Sequence, residues 1–141
     1  MRGSRYNIVM IIISDIDNTI LKNGVQPMQN VVGWLKARSS YDLILVTGRL
    51  ESDRKRTIAA LKAADVKYKA LYMNPYIIHD RFKWKEEVAR KLNIDGNVAM
   101  AIDNDVEGRN AFSRAGVKRV LSPDDLSDDV LKSSVFDGVF L

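Results

Sequence analysis

Two carboxylates, Asp15 and Asp17, stand two residues apart, with Thr19 two further on, directly behind the apolar run at 8–13. Negative charge at the mouth of a greasy, β-branched segment is costly unless a cation or a reaction uses it. A second apolar run, 42–46, stops at Thr47-Gly48-Arg49, and a third, VAMAI at 98–102, leads straight into Asp103-Asn104-Asp105. Several carboxylates with no cysteine and a single histidine favour a hard cation bound through oxygen, with Mg²⁺ the foremost choice. A carboxylate beside such a cation can attack phosphorus to form an aspartyl-phosphate that water then hydrolyses. Its neighbour two places along can protonate the leaving oxygen and afterwards activate the water. The Thr47 hydroxyl and the Lys85 ammonium could hold the equatorial oxygens of the moving phosphoryl group. Together these residues form a kit for phosphate-ester hydrolysis.

The elements that must position them follow from the apolar patterning. The uninterrupted run 8–13 reads as a strand buried on both faces, and it is too short to cross a bilayer. Residues 18–26 form a polar turn containing Gly24, and Pro27 suits the first turn of a helix. Met28, Val31, Val32 and Leu35 give that helix one apolar face as far as Arg38. A strand at 42–46 follows, then a helix at 51–64 with Ile58 and Leu61 inward, and a third strand at 66–73. A helix at 81–92 carries Trp84, Val88 and Leu92 on one side. The strand at 98–102, a helix from 106 to 115 stopped by Gly116, and a strand at 117–121 complete the alternation. The tail has a polar helical start and an apolar finish from Val135 to Leu141, suited to covering a core edge or an oligomer interface.

Strands alternating with helices predict an α/β, three-layer Rossmann-like fold with a central parallel five-stranded sheet in the order 3-2-1-4-5. Ligands bind such sheets outside the carboxyl ends of the strands, where the order reverses. That crevice falls between the first and fourth strands, where Asp15, Asp17 and Asp103 lie.

The chain of 141 residues suits one domain spanning 1–141. The absence of cysteine fits a reducing, cytoplasmic setting, and nothing resembles a signal peptide or a membrane span. Residues 1–4 carry no weight in the reading. A net charge of +4 and a pI of about 9.4 favour an anionic substrate or nucleic acid by long-range attraction; a basic surface that merely solubilises accounts for the charge equally well. Arg54-Lys55-Arg56 and Lys118-Arg119 read as solvated faces rather than a nucleic-acid track.

The motifs resemble those of the haloacid dehalogenase-like superfamily. Asp15-Ile16-Asp17-Asn18-Thr19 matches its DxDxT signature, Thr47 in LVTGR looks like its second motif, Lys85 in WKEEVARKL its third, and Asp103-Asn104-Asp105 its acidic fourth. The resemblance covers residues 8 to about 121, in order and each time at the expected place. It implies a phosphatase with Asp15 as nucleophile, Asp17 as general acid/base, and Thr47 and Lys85 as catalytic partners. It also implies Mg²⁺ held by Asp15, the backbone carbonyl of Asp17, and Asp103. Position 104 departs from the usual adjacent aspartate pair, leaving Asn104, Asp105 and Glu107 as alternatives for the second contact. Lys83 competes with Lys85, but Lys85 opens the KEEV helical run. Thr19, Gly48 and Arg49 are candidates for substrate binding. Plainer readings make Asp15 and Asp17 turn formers, Thr47 a helix cap, and Arg49 and His79 surface residues.

Many relatives in this superfamily insert a cap domain after the first or third strand. Here only 18–26 and 74–81 are available, far below the roughly 50 residues a domain needs. A capless site is open to macromolecular phosphates, or takes a neighbouring subunit as its lid in a homo-oligomer. The segment 79–111 is also similar to the 3′-phosphatase domains of phage polynucleotide kinases. Nucleotide or polynucleotide phosphate ends are therefore the expected substrates. The alternatives are a capless sugar-phosphate phosphatase acting as an oligomer on a phosphorylated small molecule, and a non-catalytic, receiver-like module that binds phosphate or Mg²⁺.

Overall fold

The computed structural model describes residues 9–75 and 80–131. Its strands are β1 (Ile11–Ser14), β2 (Leu21–Lys22), β3 (Gln26–Pro27), β4 (Asp42–Leu50), β5 (Ala70–Asn74), β6 (Val98–Ile102) and β7 (Val120–Leu121). Its helices are α1 (Gln29–Lys36), α2 (Arg54–Ala63), α3 (Arg81–Leu92) and α4 (Val106–Arg114). Five strands form a parallel sheet in the order β5-β4-β1-β6-β7, which is the expected 3-2-1-4-5 arrangement. β1 is central, with Ser14 opposite Leu45 on one side and Ile102 on the other.

The run of isoleucines is explained by that central place. Ile12 points into one core with Leu45, Met100, Val31 and Leu61. Ile11 and Ile13 point into the other with Ile44, Val46, Val88 and Phe112. Ile12, Ile13, Leu45 and Phe112 are fully buried, and each such side chain contributes about 1.5–3 kcal/mol relative to exposure. A strand greasy on both faces has to sit in the middle of the sheet, and this one carries its polar end to the sheet's carboxyl edge.

Several local expectations are corrected. Residues 18–26 are more than a turn: β2 and β3 form a short antiparallel ribbon there, with Pro27 in β3. The helix begins at Gln29 after an extended Met28, because the ribbon uses the proline as an edge residue. α2 is preceded by a 3₁₀ turn, Glu51–Asp53. Its inward positions are Thr57 and Leu61, whereas Ile58 is 40% exposed, so a polar hydroxyl takes the place assigned to the isoleucine. β4 runs on to Leu50 through a register irregularity after Thr47, and β7 keeps only the last two of the residues expected in it. α3 matches its expected limits, with the Asp80 carboxylate accepting from the Phe82 and Lys83 amides at its start. The chain leaves α4 through Gly116 at φ +94°, a left-handed position that disfavours a Cβ. The tail opens with a 3₁₀ turn, Pro123–Asp125. His79 and the apolar finish from Val135 to Leu141 lie outside the described residues. No segment joining the sheet strands is long enough for a cap domain, and among the described residues no helix is long and apolar enough to cross a membrane.

Arg38, just past α1, fastens the chain that follows the 3₁₀ turn. Its guanidinium stacks on Trp34 at 3.9 Å and donates to the carbonyls of Trp34, Val130 and Asp128 at 3.0 Å and of Ser127 at 3.3 Å. Trp34 Nε1 reinforces the bond to Ser127 at 2.7 Å. Arg38→Ala removes this donor from the Val130 and Asp128 carbonyls and should cost about 2–3 kcal/mol in urea unfolding. An unchanged midpoint would show that this fastening contributes nothing.

Candidate active site

The carboxyl ends of β1, β4 and β6 and the first turn and a half of α3 converge on one place. Asp15 follows β1 and donates its amide to the Ile102 carbonyl at 2.9 Å, and Asp103 follows β6 and donates to Leu121 at 3.0 Å. The two carboxylates are therefore delivered side by side on neighbouring strands. Lys85, on the inward face of α3, reaches both: its Nζ lies 2.7 Å from Asp103 Oδ2 and 3.1 Å from Asp15 Oδ1. Its side chain is 4% exposed, whereas Lys83 is exposed and points away.

Burial dominates the electrostatics of this trio. It pushes the Asp15 carboxyl up to about 6, against the pull of the Lys85 ammonium and with the help of the Asp103 charge. Burial also opposes the charge on Lys85, but Asp15 and Asp103 together outweigh it and raise that pKa above the ordinary lysine value. The ammonium is thus held in its charged form, while burial keeps the Asp15 carboxyl above the ordinary carboxylate range.

Asp103 is held on every side. Oδ1 accepts from the Asp105 amide at 2.9 Å, and its backbone carbonyl accepts from Arg109 Nη1 at 2.9 Å. α4 comes so close that a Cβ at Gly108 would collide with the Asp103 carboxylate. Asp105 caps α4 by accepting from the Glu107 amide at 2.9 Å, and Glu107 is exposed. Neither the clamp of Gly108 nor that of Arg109 was visible in the sequence, because no motif spacing marks a glycine that makes room for a carboxylate.

Asp17 is treated differently. Its side chain is 44% exposed and is gripped by the guanidinium fork of Arg49, with Nε to Oδ2 at 2.9 Å and Nη2 to Oδ1 at 2.7 Å. The hydrogen bond to Asp17 chiefly raises the Arg49 pKa. Thr57 Oγ1 accepts from Arg49 Nη1 at 2.8 Å, which explains why α2 turns a threonine inward. Gly24 gives the fork its space: its φ is +75°, and a Cβ there would lie 2.6 Å from Arg49 Nη2. Arg49, expected at the substrate, is thus tied to the second carboxylate.

Thr47 is buried at the end of the paired part of β4, its Oγ1 accepting from the Arg49 amide at 3.1 Å and its carbonyl from Trp84 Nε1 at 3.2 Å. Gly48 packs against Arg81, whose Cβ and Cδ would meet an added Cβ at 2.9 Å. Thr19 is buried beneath the signature, donating to Asp15 Oδ2 at 3.3 Å and accepting from the Asn104 amide at 3.1 Å. It supports Asp15 from below rather than lining an open surface.

Among the described residues, no three His, Cys, Asp or Glu side chains form a metal-binding group. A hard cation that keeps several waters needs few protein oxygens, and backbone carbonyls and amides serve it as well as carboxylates. The Asp15 Oδ2 atom, the Asp17 carbonyl and the end of the Asn104 side chain meet at such a point. The Asn104 amide lies 3.2 Å from Asp15 Oδ2 and 3.0 Å from the Asp17 carbonyl, donating to both when its nitrogen faces them. The donor set fits Mg²⁺.

The fold is the haloacid dehalogenase-like fold. A chain of the Pnkp1/Rnl/Hen1 RNA repair complex superposes on 81% of this chain with a TM-score of 0.58 and 18% identity, and this chain spans 42% of its length. The HAD domain of the effector Lem4 from Legionella pneumophila gives a TM-score of 0.55 at 12% identity, covering 93% of both chains. The cobalt-bound deoxy-D-mannose-octulosonate 8-phosphate phosphatase YrbI from Haemophilus influenzae gives 0.50 at 16% identity, covering 94% of this chain and 92% of its own. No family model and no curated protein matches the sequence.

The raised Asp15 pKa has a consequence for stability. The folded carboxyl binds its proton more tightly than the ordinary value of 3.8 allows, so the contribution of Asp15 to metal-free stability is fullest at low pH and falls as pH rises from 3.8 through about 6. Asp15→Asn should remove that fall and stabilise the chelator-treated protein at pH 8 by on the order of 2 kcal/mol. Equal or lower melting temperature for the variant at pH 8 would contradict this.

Proposed function

We propose that this chain is a Mg²⁺-dependent phosphomonoester hydrolase working through an aspartyl-phosphate on Asp15, with nucleotide or polynucleotide phosphate ends as substrates. The observation that carries the reading is the contrast between two carboxylates. Asp15 is sunk at the end of the central strand against one ammonium, and Asp17 stands half-exposed two residues away in an arginine fork. That contrast supports a role at phosphorus for the first and proton exchange with solvent for the second.

Asp15 attacks the phosphorus of the monoester, forming an O–P bond as the ester O–P bond breaks. Asp17, which takes a proton from solvent as Arg49 turns from it to the phosphate, gives that proton to the departing alkoxide. A water then enters, loses a proton to Asp17, and displaces Asp15 from phosphorus, which releases inorganic phosphate and regenerates both carboxyl groups. The Lys85 ammonium sits where it can keep Asp15 ionised and neutralise a phosphoryl oxygen, and the Thr47 hydroxyl can donate to another. Mg²⁺, when bound, supplies the positive charge that lets an anionic nucleophile approach an anionic ester. Arg49 links recognition to proton transfer, because a phosphate dianion competes with Asp17 for the same fork.

Three features support nucleic-acid ends. Among the described residues no cap covers the site, the net charge is +4, and one of the similar structures belongs to an RNA repair complex. The similarity to a phosphatase named for a sugar 8-phosphate favours a second reading, in which a small phosphorylated sugar is the substrate and a neighbouring copy closes the site.

Hydrolysis of p-nitrophenyl phosphate should require Mg²⁺, vanish in Asp15→Asn, and fall about 10²–10⁴-fold in Asp17→Asn. Undiminished turnover by Asp15→Asn would remove the nucleophile from the account, and no turnover with any divalent metal would favour a binding module instead. With phosphate-ended oligonucleotides, kcat/KM should drop steeply between low and physiological salt. Far better hydrolysis of sugar phosphates, with little salt dependence, would select the second reading.

A further inference from the structure

α3 runs down the sheet from its carboxyl edge, ending where Asn93 accepts from the Val98 amide at the start of β6 at 3.2 Å. Its first residue, Arg81, precedes Lys85 by four positions, about one turn or about 6 Å along the axis. Side chains four apart share a helix face. On that face Lys85 is buried against Asp15 and Asp103, whereas Arg81 is exposed. The residue one turn before the buried ammonium therefore stands at the rim of the same crevice.

Two contacts hold Arg81 there. Its stem lies on Gly48, where an added Cβ would come within 2.9 Å of both Arg81 Cβ and Cδ. The glycine between Thr47 and Arg49 thus leaves room for a cation from another element. The Arg81 guanidinium lies over the Phe82 ring, 4.6 Å from its centre. Stacked by its face, a guanidinium keeps the N–H donors along its edges, and their fork matches a phosphate. Among the described residues no carboxylate pairs with Arg81. Its neighbour Asp80 accepts from the Phe82 and Lys83 amides, and Arg49 spends its own fork on Asp17.

We infer that Arg81 binds the phosphodiester next to the reacting phosphate and so selects polynucleotide ends over isolated phosphomonoesters. The inference rests on the phosphatase reading above and names the substrate within it. With the terminal phosphate between Asp15, Thr47 and Lys85, the next charge of a nucleotide chain falls outward, toward the rim. A mononucleotide or a sugar monophosphate has no charge to place there. One arginine one turn above the reacting group is thus a test of chain length.

Thymidine monophosphate and the dithymidylate bearing the same terminal phosphate, at the 3′ or at the 5′ end, differ by one phosphodiester-linked nucleoside. With Mg²⁺, the full native chain should favour the dinucleotide in kcat/KM by about tenfold or more. Arg81→Gln keeps the stem on Gly48 and removes the charge, and should lower that ratio about tenfold; Arg81→Lys should restore part of it. The slope of log kcat/KM for the dinucleotide against log salt should become shallower by about 0.7 in Arg81→Gln, the share of one phosphate contact on a single strand. A merely structural role would leave that slope unmoved. The same ratio and slope in the native protein and Arg81→Gln would overturn the assignment while the phosphatase reading stands. No hydrolysis of either substrate by the native chain would overturn both.

Discussion

The ammonium of Lys85 between Asp15 and Asp103 is the contact on which the rest of the site depends. Two carboxylates brought together on adjacent strand ends, away from water, repel one another and lose hydration. A single buried cation from α3 makes the pair tolerable. It also fixes how α3 lies on the sheet, since the Val88 and Ala89 side chains that bury the helix follow one turn after the lysine. The packing of a helix and the polarity of the candidate site are therefore one constraint. A buried ion pair of this kind is weak evidence for stability, and groups held this way in a crevice are candidates for a functional site.

The two carboxylates of the DxDxT signature diverge just past the strand end. β1 ends at Ser14, Asp15 stays buried, and Asp17 emerges half-exposed beside the β2–β3 ribbon, bridged to Leu21, before the chain turns at Asn18 with its left-handed φ of +57°. Burial then separates their environments, with one group against an ammonium and the other in a guanidinium fork braced by Thr57. Identical side chains two residues apart thereby become candidates for two roles, nucleophile and proton carrier, through environment alone.

Much of this was legible in the sequence, for identifiable reasons. The run of isoleucines could only be a central strand, and each apolar run ended at a polar cluster, so sheet order and the place of the crevice followed from alternation and crossover handedness. The KEEV run placed Lys85 on a helix and was the ground for preferring it to Lys83. What could not be read were contacts made at long range by residues with no periodic signal: Gly108 under Asp103, Gly24 under Arg49, and Thr57 behind the same arginine. The ribbon at 21–27 was missed because its strands are two residues each, too short to show alternation. Asn104, Asp105 and Glu107 stayed open as alternatives in the sequence, because nothing in the spacing says that Asp105 caps α4 through the Glu107 amide.

The central claim is that Asp15 forms a covalent bond to phosphorus. Acid quenching of a single turnover, followed by borohydride reduction and peptide mass spectrometry, reads it directly, because an acyl phosphate is reduced to the alcohol and a free carboxylate is not. The account predicts homoserine at position 15, in a substrate-dependent amount, and unmodified aspartate at 17 and 103. Turnover that leaves position 15 as aspartate at every quench time, while another carboxylate is reduced, would contradict it.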